Sequence, residues 1–211
     1  MVRNTVLTAT LVASFAAAGA ASAVEVSSNG GFETGDTSGW ASFPTANSTF
    51  TTTGTNPDTG SFSANLFNDD SASAAIIKQA NVGIGTVNPG DVINISFAAR
   101  GSTEAGGVAF AEFFSELSGG GTSSSEILGG GPLALDPDSN TWTTFNFSTV
   151  AGPDVSGGVT LQLTATTGGA PGSVADIYYD SISIDVVPEP GSLALLGLGG
   201  LALAARRRRR A

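Results

Sequence analysis

The chain has 211 residues, a formal charge of −10, and neither Cys nor His. Those absences exclude disulfides, thiol nucleophiles, Ser-His catalysis and the usual zinc and haem ligands. Of the eight basic residues, Arg3 and Arg206 to Arg210 lie near the ends, leaving Lys78 and Arg100 among seventeen carboxylates in the middle, which excludes nucleic acid as a partner.

Residues 1–23 have the pattern of a secretory signal peptide. Arg3 supplies the positive start, Val6 to Ala20 is uncharged and largely apolar, and Ala21-Ser22-Ala23 is the small-x-small pattern that signal peptidase requires. Export follows, with a mature chain beginning near Val24. Without Cys, burial or metal must stabilise that chain in place of disulfides.

From Val24 to Val186 short alternating runs are separated by Gly, Asn, Asp and Pro. Phe62, Ala64 and Leu66 alternate with polar neighbours. Ile93, Ile95, Phe97 and Ala99 alternate after the turn signal Asn88-Pro89-Gly90-Asp91. Further runs are Val108 to Phe114, Thr141 to Val150, Val159 to Ala165 and Asp176 to Val186. Helical spacing is sustained nowhere, so Glu112 and Glu116 belong to a strand and loop. Ser118 to Ser125 and Gly129 to Gly131 read as surface loops. Eight to ten short strands with glycine-rich turns predict one all-β domain over 24–186, a jelly-roll β-sandwich. Phe97, Phe145 and Phe147 fall on the inward phase, whereas Trp142 breaks phase and points outward. Lys78 and Arg100 read as solvated charges.

The opening stretch Asn29-Gly30-Gly31-Phe32-Glu33, with Trp40 soon after, resembles the start of carbohydrate-binding modules with the galactose-binding-like jelly roll. The closing run Tyr178-Tyr179-Asp180-Ser181-Ile182-Ser183-Ile184 is similar to their last strand, with Ser181 where a second Asp is common. A sugar site pairs an aromatic platform with amide and carboxylate hydrogen bonders. Trp142, Tyr179, Asn65, Asn68 and Asp69 are candidates, Asn68 to Asp70 also reading as a solvated turn. No catalytic residue is expected: Glu104, Glu112, Glu116, Glu126, Asp136 and Asp138 sit mostly in loop-like contexts and form no recognisable pair.

Asp180 shares parity with Tyr178, Ile182, Ile184 and Val186, which turns its carboxylate toward the core unless Ser181 bulges or the strand lies at an edge. A buried carboxylate needs a partner. The resemblance implies a structural Ca2+ between Glu33 and Asp180, with backbone carbonyls near Gly31 and in Gly60 and Ser61 completing the shell.

The tail, residues 187–211, runs Pro188-Glu189-Pro190-Gly191, an uncharged Leu/Ala/Gly segment over 192–205, then Arg206, Arg207, Arg208, Arg209 and Arg210. Fourteen helical residues span about 21 Å, a short membrane helix whose arginines stay cytoplasmic. This order resembles the PEP-CTERM sorting signal. The resemblance implies recognition of Pro188, Glu189 and Pro190 by an exosortase-type enzyme in a Gram-negative bacterium that makes exopolysaccharide. The expectation is a protein exported across the inner membrane, anchored transiently, then placed at the surface or in the extracellular matrix. There the sandwich binds or associates with polysaccharide without catalysis. The alternatives are a purely structural matrix protein and a glycan-active hydrolase.

Overall fold

The alternating runs build eleven strands in a computed structural model that describes residues 22–188. In chain order they are β1 (Val24–Glu25), β2 (Ala41–Phe43), β3 (Ser48–Thr53), β4 (Ser63–Asn68), β5 (Ala74–Val82) and β6 (Val92–Glu104). There follow β7 (Val108–Glu116), β8 (Thr122–Ile127), β9 (Thr143–Val150), β10 (Val159–Thr166) and β11 (Val174–Val187). Sheet A has the order β3-β4-β11-β6-β9, with β1 also paired to β11, and sheet B the order β2-β5-β10-β7-β8. The fold is thus the expected all-β sandwich. One correction concerns Ser118 to Ser125, expected as a loop: β8 begins at Thr122 and pairs antiparallel with β7. It lies at a sheet edge, where small polar side chains suit a strand with one covered side.

The expected apolar run 192–205, Arg206 to Arg210, Glu189 and Pro190 lie outside the described residues, as does all of the expected signal peptide except Ser22 and Ala23. Among the described residues no helix is long and apolar enough to cross a membrane.

The core forms where the two sheets face each other. Ile93, Ile95, Phe97 and Ala99 of β6 are buried, as their alternation predicts, against Leu161 and Leu163 of β10 and Ala111 and Phe113 of β7. Phe97 lies 5.3 Å from Phe145, 6.0 Å from Phe147 and 6.2 Å from Tyr179 between ring centroids. Phe32, wholly buried, stacks on Trp40 at 5.5 Å.

β11 departs from the continuous phase read in its sequence. A bulge lies between Asp180 and Ser183, which pair with Ala98 and Ser96, so Ser181 and Ile182 together oppose Phe97. Ser181 takes a positive φ of 53°. Before the bulge Ala175, Ile177 and Tyr179 face the core; after it Ile182, Ile184 and Val186 do. Asp180 therefore shares the outer face with Tyr178 rather than the inner face with the isoleucines. The extra residue frees the Ile182 N–H to donate to the Gly30 carbonyl at 3.0 Å. That close approach requires glycine, since a Cβ at residue 30 would lie 1.9 Å from the Ile182 oxygen.

Candidate functional site

The outer face of sheet B carries polar cross-strand rows between aromatic side chains, here called the trough. Its floor is β10, where Thr160, Gln162 and Thr164 alternate with core residues yet are themselves buried. Antiparallel register aligns Ala41, Lys78, Gln162, Glu112 and Ile127 in one cross-strand row. A neighbouring row runs Phe43, Ile76, Thr164, Phe110. The rims carry two exposed large apolar residues, Phe43 and Ile127. Lys78 crosses between two rings, its Nζ 5.3 Å from the Phe43 centroid and 5.4 Å from that of Phe114. The Gln162 amide donates to Glu112 Oε2. Rings beside a fixed carboxamide and carboxylate suit a flat, hydroxyl-bearing ligand such as a sugar.

The reading of Lys78 and Arg100 as solvated charges is therefore corrected. Lys78 covers aromatic faces with its stem and ammonium. Arg100 is 5% exposed and stands between Tyr178, 3.8 Å from its guanidinium carbon to the centroid, and Trp142 at 5.1 Å. Its Nη1 donates to the Ser139 carbonyl at 3.2 Å and its Nη2 to that of Thr55 at 3.0 Å. The Trp142 indole donates to the Asn56 carbonyl at 3.0 Å. Arg100 thus clips two loops, 54–62 and 136–142, onto the outer face of sheet A.

Of the sugar-site candidates, Trp142 and Asn65 lie on that outer face. Tyr179 does not: the bulge puts it in the core, wholly buried, its hydroxyl donating to the Thr164 carbonyl at 2.9 Å. Burial pushes its phenol well above the ordinary value. The side chain facing outward is its neighbour Tyr178. Asn68 is no solvated turn residue either, being buried and donating to the Ala165 carbonyl at 2.9 Å. Asp69 is exposed. A further depression of about 280 Å3 lies beside Asn94, Ser96, Asn146, Ser148 and Asp185. Phe147, which also borders it, turns its ring to the core against Phe97, so this hollow has no stacking platform.

The residues expected around Ca2+ come together from three segments. Asp180 is fully buried, and its carboxylate accepts N–H bonds from Asp58 at 2.9 Å, Thr59 at 3.2 Å and Ser181 at 2.6 Å. Burial still raises its pKa, those amides pull it down, and the Asp58 charge raises it further. Glu33 accepts the Ser61 and Phe62 amides, each at 3.0 Å. A Cβ on Gly31 would lie 3.6 Å from Glu33 Cγ and 3.8 Å from Asp180 Oδ1, so both side chains flank one stretch of bare backbone. At Gly60 a Cβ would come within 2.4 Å of Glu33 Oε1. One step beyond the Tyr179–Ala64 pair, Ser63 has a buried hydroxyl without a hydrogen-bond partner. Neither Lys78 nor Arg100 pairs with Asp180. Among the described residues no group of three or more side-chain metal ligands exists, so backbone carbonyls must supply most of any shell. A buried carboxylate held by three amides but by no cationic side chain, a bare glycine beside it and an orphan hydroxyl fit a cation.

Residues 186–210 match the PEP-CTERM protein-sorting motif, which implies export and a surface or extracellular destination. No curated protein matches the sequence. Several solved structures share the fold. The CBM22-1 xylan-binding domain from Paenibacillus barcinonensis Xyn10C is 16% identical, with a TM-score of 0.56 over 82% of this chain and 99% of its own. The Clostridium thermocellum Xyn10B CBM22-1-GH10 modules, complexed with xylohexaose, are 15% identical with a TM-score of 0.54 over 79% of this chain and 28% of theirs. The enzymatically active domain of tailspike protein 4 from bacteriophage CBA120 is 18% identical with a TM-score of 0.59 over 77% of this chain. This chain spans only 21% of that tailspike domain. At such identities the likeness shows the fold alone, a two-sheet β-sandwich like those of these structures.

Proposed function

We propose that the exported domain is a non-catalytic module that holds an uncharged polysaccharide in the sheet B trough. The observation that carries this reading is the row Lys78–Gln162–Glu112, walled by Phe43, Phe110 and Phe114. Seventeen carboxylates against two cations between residues 24 and 186 repel polyanions, so the glycan is neutral. Glycoside hydrolysis needs two carboxyl groups about 5–9.5 Å apart. Glu112 sits centrally in the trough and is engaged by Gln162. Glu116 follows it by about 13 Å along the same strand.

In this reading signal peptidase removes residues 1–23 and an exosortase-type enzyme acts at Pro188 to Pro190. The short membrane helix holds the precursor, its arginines cytoplasmic, until the protein reaches the surface or matrix. One structural Ca2+, held by Glu33, Asp180 and carbonyls near Gly31, Gly60 and Ser61, neutralises the buried charge.

A polysaccharide panel tests the function. Retention on xylan, mixed-linkage β-glucan or galactomannan, but not on alginate or polygalacturonate, is expected, and Gln162→Ala should weaken it at least tenfold. No retention on any neutral glycan would leave a purely structural matrix role. Release of reducing ends would show an enzyme.

A further inference from the structure

The outer face of sheet A repeats the recognition chemistry of the trough. Register sets Asn65 beside Tyr178 and Phe67 beside Asp176 on adjacent strands β4 and β11, all four half-buried. The Asn65 amide donates to Asp176 Oδ1 at 2.6 Å, as the Gln162 amide donates to Glu112 in the trough. Phe67 and Tyr178 are diagonal neighbours around that pair, within reach of one bound ring. Tyr178 is already fixed by Arg100 stacked on one side, so little rotamer freedom remains to lose on binding. Thr49 and Thr51 of β3 and Ser102 of β6 continue the two rows as exposed hydroxyls. The clipped loops cover this face over Arg100 and Asp180 and leave the Asn65–Asp176 end open.

We infer that this face is a second glycan-binding surface, so that one domain grips two neutral polysaccharide chains on opposite sides and cross-links them. The occupant is a neutral chain because Asp176 lies in the surface and Arg100 is buried, its two Nη atoms bonded to Ser139 and Thr55 and out of reach of a ligand. Four strands place Thr49, Phe67, Asp176 and Ser102 about 14 Å end to end, enough for more than one sugar ring. The inference rests on the trough reading and extends it from a monovalent module to a matrix cross-linker.

Calorimetric titration of the full chain in detergent with xylohexaose, cellohexaose and mannohexaose tests it, together with the turbidity of the matching soluble polysaccharides. Two sites per chain are expected for at least one sugar, with turbidity that rises and then falls as protein is added. Tyr178→Ala and Asp176→Asn should each remove one site and abolish turbidity while the other site keeps its affinity within twofold. Gln162→Ala should remove the complementary site. The conservative Asp176→Asn decides the matter if Tyr178→Ala fails to fold. One site per chain, lost with Gln162→Ala and indifferent to both sheet A variants, would overturn the second surface and leave the trough standing. No binding by the wild-type chain would overturn both.

Discussion

The trough on sheet B rests on β10, which keeps one phase, so Thr160, Gln162 and Thr164 stay level; the extra residue opposite Thr160 falls on its neighbour β5, between Gln79 and Val82. The opposite face rests on β11, which a bulge breaks at Ser181, and two loops fill the gap. Each face also holds charge differently. Lys78 keeps its ammonium at two ring faces, whereas Arg100 and Asp180 are buried on one sheet without pairing with each other. Backbone carbonyls hold the two Nη atoms of the arginine, whose buried Nε has no hydrogen-bond partner, and backbone amides hold the aspartate. A regular strand suffices for the trough; the other face depends on loops and what pins them.

Damage to the shared core should erase the distinction between the faces. Phe97→Ala removes a wholly buried ring touching Phe145, Phe147 and Tyr179, and should cost about 3–5 kcal/mol in denaturant unfolding. Metal should act on sheet A alone. At a hundredfold excess over its dissociation constant, Ca2+ should stabilise the EDTA-treated chain by about 2.7 kcal/mol in thermal melts. Glu33→Ala and Asp180→Ala should each abolish that gain, and a melting point indifferent to EDTA and Ca2+ contradicts the ion. Arg100→Ala strands the Thr55 and Ser139 carbonyls and should cost about 1.5–3 kcal/mol. Hydrogen exchange should rise in loops 54–62 and 136–142 while β10 amides stay protected.

The smallest effect concerns the end of sheet A where β1 meets β11. For Glu25, burial raises the pKa, but hydrogen bonds from Ser27, the Ile184 amide and Ser183 outweigh it, so the net shift is downward. A depressed carboxyl contributes stability above its ordinary value of 4.5 and loses it as pH falls through the folded value. Glu25→Gln should therefore destabilise at neutral pH, by less than about 1 kcal/mol given its exposure, and match the wild type in acid. Melting curves across pH 2–7 check this.

Alternation made β4, β6, β7, β9, β10 and β11 legible, and the inward phases of Phe97, Phe145 and Phe147 follow from it. The bulge at Ser181 was legible only as an alternative, because Tyr178, Asp180, Ile182 and Ile184 keep an unbroken period of two through it. Only the positive φ at Ser181 and the partner strand reveal the shift, and that shift exchanges the roles of Tyr178 and Tyr179. The Glu33–Asp180 meeting was accessible through the resemblance of the two chain ends. The trough was missed because its side chains come one to three at a time from β2, β5, β7, β8 and β10, with Phe43 in a stretch no pattern marked as strand. One signal was present. In β7 Phe113 lies on one parity and Phe110 and Phe114 on the other, and a strand with large rings on both faces is rarely solvated on either.

The central claim is that a neutral glycan lies along the sheet B trough. Nuclear magnetic resonance of the 15N-labelled chain in detergent, titrated with xylohexaose, cellohexaose and mannohexaose, tests it at the residues concerned. Saturable shifts of the Gln162 side-chain amide and of the backbone amides of Lys78 and Phe110 to Phe114 are expected with at least one sugar. Trough resonances that stay fixed with all three, while any shifts appear elsewhere, would contradict it.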